Sequence, residues 1–205
     1  MKYIDISLPL SNRTITHPKE PKFSVEPQRA LEKDGVATSK ITTASHFGTH
    51  IDAPIHFIKG GDGVDEIDLE KLIGNCQVLE VSPQDKLITR VDIKGKIISE
   101  RILVKTSNSR ILDQPYTKEY ISLSQGAAEY LVESGIKLVG TDYIAIEASG
   151  SPGHPVHTRL LERKIVIVEG LNLADIEVGN YKLIVLPLKL KGLDGSPARA
   201  VLIKE

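Results

Sequence analysis

The run from His46 to His56 carries the densest group of side chains in this chain that could bind a metal ion or transfer a proton. Its sequence is His-Phe-Gly-Thr-His-Ile-Asp-Ala-Pro-Ile-His, and it contains three of the six histidines. The possible ligands all fall at even positions, at His46, His50, Asp52 and His56. Because side chains alternate along an extended chain, this period of two predicts one face that bears imidazoles and a carboxylate. Nitrogen and oxygen ligands without a thiolate suit Zn²⁺ or Mn²⁺.

The spacing of these residues predicts either a bend in the chain or a second ion. On a straight strand His46 and His50 would lie roughly 13 Å apart, at about 3.3 Å per residue. A bound imidazole nitrogen lies about 2.0–2.1 Å from zinc, so we expect Gly48 to bend the chain between them. Alternatively, two ions roughly 3.5–4 Å apart would share the carboxylate of Asp52. Gly48 and Pro54 argue against a helix in this run.

Further candidate site residues occur downstream. Glu169 ends an apolar predicted strand, where a charged side chain requires a metal ion or an ion-pair partner. Asp142 follows another predicted strand, and it is either a site residue or a turn cap. Residues 153–157, Gly-His-Pro-Val-His, supply two more histidines, and the second of them, His157, opens a short helical pattern. His154 is either a plain loop residue or a contact to substrate or metal.

The composition limits the class of protein. A length of 205 residues predicts one domain over 1–205. A net charge of −1, from 26 basic and 27 acidic residues, gives no electrostatic footprint for nucleic acid or for an anionic membrane. No apolar run approaches the roughly 18 residues of a membrane span. Cys76 is the only cysteine; we expect it to be buried, in a protein of the reducing cytoplasm.

The predicted elements favour a mixed α/β domain with a curved or barrel-like β core and a few flanking helices. One helix is expected to begin at Ser122 or Ser124 as its N-cap and to stop at Gly135. Strands outnumber helices. They are expected at residues 2–8, 23–26, 36–43, 76–81, 101–106, 136–140, 165–168, 181–188 and 198–203, together with the extended run that carries the ligands.

The run from His46 to His56 resembles the signature of the cyclase-like metal-dependent hydrolases, a family that includes bacterial kynurenine formamidase and isatin hydrolase. The resemblance extends along the chain. It includes Gly-Thr-Asp at 140–142, His157 with the leucine pair at 160–161, Glu-Gly-Leu at 169–171 and the closing Asp-Gly-Ser-Pro-Ala-Arg at 194–199.

This resemblance implies a swivelling β/β/α fold in a homodimer or homotetramer, and a centre of one or two zinc or manganese ions. It also implies a role for each residue of the motif. His56 would be the general acid and base, and the metal ligands would be His46, His50, Asp52, His157 and Glu169.

The expected function is hydrolysis of an amide bond in a small molecule, either an N-formyl or a cyclic amide, by water that the metal activates. An ester or lactone hydrolase or a dehydratase of the same family is the alternative. Two other classes are a metal-binding protein without hydrolase activity and a non-haem iron oxygenase. Where the formamidases have a tryptophan in the N-terminal loop, this chain has His17 and no tryptophan anywhere. N-formylkynurenine is therefore expected to be a poor substrate.

Overall fold

The core of the fold is a barrel of seven strands with helices on its outer surface. A computed structural model describes residues 1–204, and these form twelve strands and five α-helices. In chain order the strands are β1 (Lys2–Asp5), β2 (Ser24–Arg29), β3 (Thr38–Thr42), β4 (His50–Asp52), β5 (Ile73–Glu80), β6 (Leu87–Ile88), β7 (Arg101–Lys105), β8 (Ser122–Leu123), β9 (Leu138–Thr141), β10 (Val166–Glu169), β11 (Gly179–Pro187) and β12 (Gly195–Lys204). The helices are α1 (Leu31–Asp34), α2 (Leu69–Leu72), α3 (Arg90–Ile93), α4 (Gln125–Glu133) and α5 (Pro155–Glu162).

The barrel closes through β12. The strand order is β12-β11-β5-β7-β9-β10-β4, and β4 pairs again with β12. The first part of β12 pairs with β4, and its last part pairs with β1, which adds one strand outside the closed ring. β5, β7, β9 and β10 run parallel to one another, whereas the pairs that involve β4, β11 and β12 are antiparallel. The predicted mixed, barrel-like core with a few flanking helices is therefore confirmed.

The alternation of side chains decides which face of β4 carries the polar residues. Ile51 belongs to the apolar cluster to which all seven barrel strands contribute, so its side chain points into the barrel. Its neighbours His50 and Asp52 therefore point outward. Cys76 lies in the same interior cluster, as expected. Burial raises the pKa of its thiol to about 12, which makes it a poor nucleophile.

A second apolar cluster covers the outer face of the barrel with α4 and α5. The predicted helix is confirmed as α4, whose N-cap is Ser124: its Oγ accepts the backbone N–H of Ala127 at 3.1 Å. Gly135 follows the helix with a φ of +68°. Leu131 of α4 and Leu160 of α5 are both fully buried against the barrel strands. Among residues 1–204, no helix combines the length and the apolar character needed to span a bilayer.

The prediction of one extended face from His46 to His56 is wrong in part. Only His50–Asp52 forms a strand. Pro54 begins a short 3-10 helix that ends at His56, because a proline at this place has a fixed φ and no N–H for a sheet partner. His56 therefore reaches the site from a turn and not from the strand face. The predicted bend at Gly48 is present, with a φ of +63°.

Candidate metal centre

Two paired strands bring two carboxylates to one imidazole. β4 and β10 are antiparallel, and their register places His50 opposite Glu169. The Nε2 atom of His50 lies 3.4 Å from Glu169 Oε2 and 3.5 Å from Asp52 Oδ1. All three residues are almost fully buried. The glutamate that ends an apolar strand is thus placed against the ligand strand.

The bend at Gly48 turns His46 back toward Asp52. His46 Nδ1 lies 2.9 Å from Asp52 Oδ1, and its Nε2 lies 2.7 Å from Asp194 Oδ2. Burial disfavours the charged ring, but the two carboxylates outweigh this effect and raise the pKa of His46 to about 9. The rings of His46 and His50 are perpendicular, with centroids 5.1 Å apart.

His157 approaches the centre from α5. Its Nε2 lies 3.3 Å from Glu169 Oε1 and 3.8 Å from Asp52 Oδ2. Its Nδ1 lies on the other side of the ring, 2.7 Å from Glu147 Oε2. Burial disfavours the charged ring, but the hydrogen bonds to Glu147 and Glu169 raise the pKa of His157 to about 10. The helical pattern was expected to open at His157, whereas the helix already begins at Pro155.

The donor set fits a divalent cation. Burial opposes ionisation of both Asp52 and Glu169, and the negative charge of Glu169 further disfavours ionisation of Asp52. Contacts with the histidines nevertheless lower the pKa of both groups, so both are anionic at neutral pH. One donor atom from each of His50, Asp52 and Glu169 lies within 4.8 Å of the others. Two buried anions surrounded by imidazole nitrogens form the environment that a cation of borderline hardness requires.

His56 lies beside this group of ligands. Its ring stacks on that of His46 with centroids 4.0 Å apart, and its Nδ1 is 3.8 Å from Asp194 Oδ2. Burial and the neighbouring histidines lower the pKa of His56, although Asp52 opposes this effect. The side chain keeps 29% of its surface exposed, so the ring faces both the ligands and the solvent.

The structure brings the predicted site residues together, although their roles stay predictions. His46, His50, Asp52, His56, His157 and Glu169 all line one cavity of about 270 Å³. His17 and His154 also line this cavity, so both are placed to contact a substrate. Asp142 has a different role. It is fully buried and accepts hydrogen bonds from the backbone and hydroxyl groups of Thr106 and Ser109, which favours the alternative that it is a turn cap.

Two acidic residues of the site were not identified from the sequence. Asp194 is hydrogen-bonded to His46 although it is 148 residues away in the chain. Glu147 is 3% exposed and is hydrogen-bonded to His157. Asp194 begins the closing motif at 194–199, and Glu147 follows the apolar run Tyr-Ile-Ala-Ile at 143–146. A carboxylate at the end of an apolar run was the available signal at Glu147, as it was at Glu169.

Gly170 tests how closely the segment after Glu169 must approach the backbone between His46 and His50. Its φ is +69°, and a Cβ built on it would overlap the carbonyl oxygen of Gly48 and lie 2.8 Å from the carbonyl carbon. Gly135 has a similar φ of +68° with no atom within 4 Å of such a Cβ, so it is a matched control.

We expect Gly135→Ala to cost about 1–2 kcal/mol of unfolding free energy, the cost of the left-handed conformation alone. Gly170→Ala is expected to cost a further ~1–3 kcal/mol through overlap and to lower metal content, because the backbone next to His50 must move. Denaturant unfolding and elemental analysis measure both effects. Equal losses in the two variants would contradict this account.

Comparison with known proteins gives consistent relatives over the whole chain. A family model described as "Putative cyclase" matches residues 4–148. The kynurenine formamidase of Bacillus cytotoxicus is 34% identical over 206 aligned residues, which cover 98% of this chain and 97% of that protein. A solved structure described as a potential metal-dependent hydrolase with cyclase activity is 33% identical and has a TM-score of 0.87, covering 100% of this chain and 98% of its own.

An isatin hydrolase bound to the product analogue thioisatinate is more distant in sequence. It is 24% identical, has a TM-score of 0.86, and covers 100% of this chain and 93% of its own. At this identity the likeness concerns the fold, and it supports the barrel as the common framework of these proteins.

Proposed function

The chain belongs to the cyclase family of metal-dependent hydrolases, and on that premise we propose that it cleaves the C–N amide bond of a small N-formyl or cyclic amide. The observation that carries the proposal is the pair of buried carboxylates, Asp52 and Glu169, which face imidazole nitrogens at one end of a solvent-accessible cavity.

We assign the metal-binding role to the donor atoms that converge on these carboxylates. The residues that would hold one or two ions are His46, His50, Asp52, His157 and Glu169. A zinc or manganese ion bound there would polarise a carbonyl group and lower the pKa of water toward 7. The ligand set contains no thiolate, which argues against a closed structural zinc site.

The other residues of the site bind, orient and transfer protons. His56 has a lowered pKa, so its ring is neutral at neutral pH and can accept a proton from water. The same ring can then donate that proton to the leaving nitrogen of the amide. Asp194 holds His46 through Nε2 and lies near His56 Nδ1, so it fixes the relative positions of the two stacked rings.

The test is a comparison of metal content and hydrolysis on one preparation. Apoprotein should be reconstituted with Zn²⁺ or Mn²⁺ and assayed without oxygen against N-formyl amides, cyclic amides, lactones and esters. Amide hydrolysis that depends on added metal is expected. Turnover confined to lactones or esters would reject the amide assignment, and metal binding without any hydrolysis would favour a binding protein.

The lining of the cavity argues for a substrate other than N-formylkynurenine, although the Bacillus relative is named kynurenine formamidase. The ring of His17 packs edge-on against Tyr116, with centroids 5.1 Å apart. Thr16 also lines the cavity, and its buried Oγ1 has no hydrogen-bond partner within the protein, which supports a substrate with a polar group. An imidazole offers less stacking surface to an aromatic substrate than an indole does.

We therefore expect kcat/KM for N-formylkynurenine to fall below about 10⁴ M⁻¹s⁻¹, the lower end of the range for natural substrates. A small polar or cyclic amide should exceed it. His17→Trp should raise kcat/KM for N-formylkynurenine while metal content stays constant. A wild-type value within the range of about 10⁴–10⁸ M⁻¹s⁻¹ would contradict the prediction.

Self-association as a homodimer or homotetramer remains part of the proposal. The β2–β3 hairpin supports it, since all residues of both strands are exposed, including Val25 and Ile41. A two-stranded hairpin is marginal by itself in water. Light scattering of the wild type measures the oligomeric state directly.

A further inference from the structure

We propose that Glu147 is a positioning residue that fixes which nitrogen of His157 is free to bind the metal. The inference rests on the proposed metal centre. Glu147 is a carboxylate outside the predicted ligand set, and its role in that centre would be to orient His157. Glu147 lies behind His157, on the side away from Asp52 and Glu169.

The position of Glu147 is rigidly determined. Its backbone carbonyl accepts the hydroxyl hydrogen of Tyr120, and the preceding residue, Ile146, accepts the backbone N–H of Leu123. Its side chain is 3% exposed and uses both oxygens toward the first turn of α5. Oε1 accepts the backbone N–H of Val156 at 2.9 Å, and Oε2 lies 2.7 Å from His157 Nδ1.

The chemistry of the two partners determines where the proton lies. An ionised carboxylate only accepts hydrogen bonds, so Nδ1 of His157 must carry the proton of the 2.7 Å contact. With a proton held at Nδ1, it is Nε2 that faces Glu169 Oε1 and Asp52 Oδ2 and that would lose its proton to a metal ion. A histidine binds metal through an unprotonated nitrogen, and a carboxylate on the other nitrogen is the usual device that ensures it.

Two other roles for Glu147 must be distinguished from this one. It could serve only as a cap for α5, through Val156. Alternatively, Glu147, His154 and His157 could themselves form a metal site, since one donor atom of each lies within 4.8 Å of the others. In that arrangement Nδ1 of His157 would be a ligand and could not carry a proton.

Glu147→Gln separates positioning from capping. Glutamine has the same shape, and its amide oxygen can still accept the N–H of Val156. Its NH₂ group would then face His157 Nδ1 and donate, so Nδ1 must accept and the proton moves to Nε2. The protonated Nε2 cannot bind metal. The matched control is Glu129→Gln, because Glu129 also bonds to α5, at Arg159 on its surface and away from the cavity.

The experiment measures zinc affinity by chelator competition and the thermal midpoint of each apoprotein. We expect Glu147→Gln to bind zinc roughly 10–100-fold more weakly than the wild type, the usual cost of losing such a partner. Its apoprotein should melt within a few degrees of Glu129→Gln, which should bind zinc as the wild type does. Unchanged zinc affinity in Glu147→Gln would overturn the inference and leave the proposed function intact. Weaker binding together with a collapsed midpoint would also overturn it, because a general loss of the fold would then account for the weaker binding.

A second measurement needs no variant. In the zinc-loaded wild type, the ¹⁵N signals of the His157 imidazole should show a proton on Nδ1 and zinc on Nε2. Zinc on Nδ1 would overturn the inference in favour of the site with His154. A wild type that binds no zinc or manganese would overturn both this inference and the proposed function.

Discussion

Asp52→Ala is expected to remove most of the metal and, with it, most of the hydrolase activity. Asp52 contacts three of the other predicted ligands. One oxygen is 2.9 Å from His46 and 3.5 Å from His50, and the other is 3.8 Å from His157. A carboxylate in this central position can bridge two ions, so its loss affects both. The reduction in metal affinity should exceed the roughly 10–100-fold that the loss of an outer hydrogen-bond partner costs.

Two further variants separate metal loss from unfolding. Asp52→Asn keeps the shape of the side chain but not its charge, so it should also lose most of its metal while the fold is retained. Asp5→Asn removes an exposed carboxylate that is paired with Arg199, away from the cavity, and should keep its full metal content. Elemental analysis, turnover and the thermal midpoint are measured on the same samples. Full metal occupancy and activity in Asp52→Ala would show that the ligand assignment is wrong.

The local part of the site could be predicted from the sequence because it depends on local rules. The period of two around His50 and Asp52 correctly predicted a strand, and Gly48 correctly predicted a bend before it. The start of α4 was predicted correctly because Ser124 is a common type of N-cap residue. The prediction of an extended chain failed after Asp52, because Pro54 starts a 3-10 helix there. A proline that ends a strand does so by lacking an N–H. The alternation of polar and apolar residues continues across it and does not reveal the change.

The remaining part depends on contacts between residues that are distant in the chain. Asp194 reaches His46 because β12 pairs with β4 and closes the barrel. Glu147 reaches His157 because the segment after β9 packs against the start of α5. Neither contact has a signal in hydrophobic periodicity, which describes only the faces of one element. For this reason Asp194 was missed, whereas Glu169 was identified by its unusual place at the end of an apolar strand. Glu147 follows the apolar run at 143–146 and offered the same signal, but it was overlooked.

His56→Ala is expected to keep the fold and the metal but to reduce turnover by roughly 10²–10⁴-fold, the usual contribution of a general acid or base. The ring is stacked on His46 with centroids 4.0 Å apart, and it lines the cavity with 29% of the side-chain surface exposed. Its nearest carboxylate is Asp194, 3.8 Å from Nδ1, which is beyond hydrogen-bond distance. A ring without such a bond is free to exchange a proton with water and substrate.

The competing assignment is that His56 is a ligand, since it forms a group of possible donors with His46 and Asp52. A third role, orienting His46 by stacking, would cost only about 10–100-fold in metal affinity or activity. Metal stoichiometry and turnover of His56→Ala must therefore be measured on one sample. Full metal content with a loss of at least about 10²-fold in turnover supports proton transfer, because removal of a ligand lowers both quantities together. Metal loss in proportion to the loss of rate would remove His56 from the proton-transfer role and add it to the ligands.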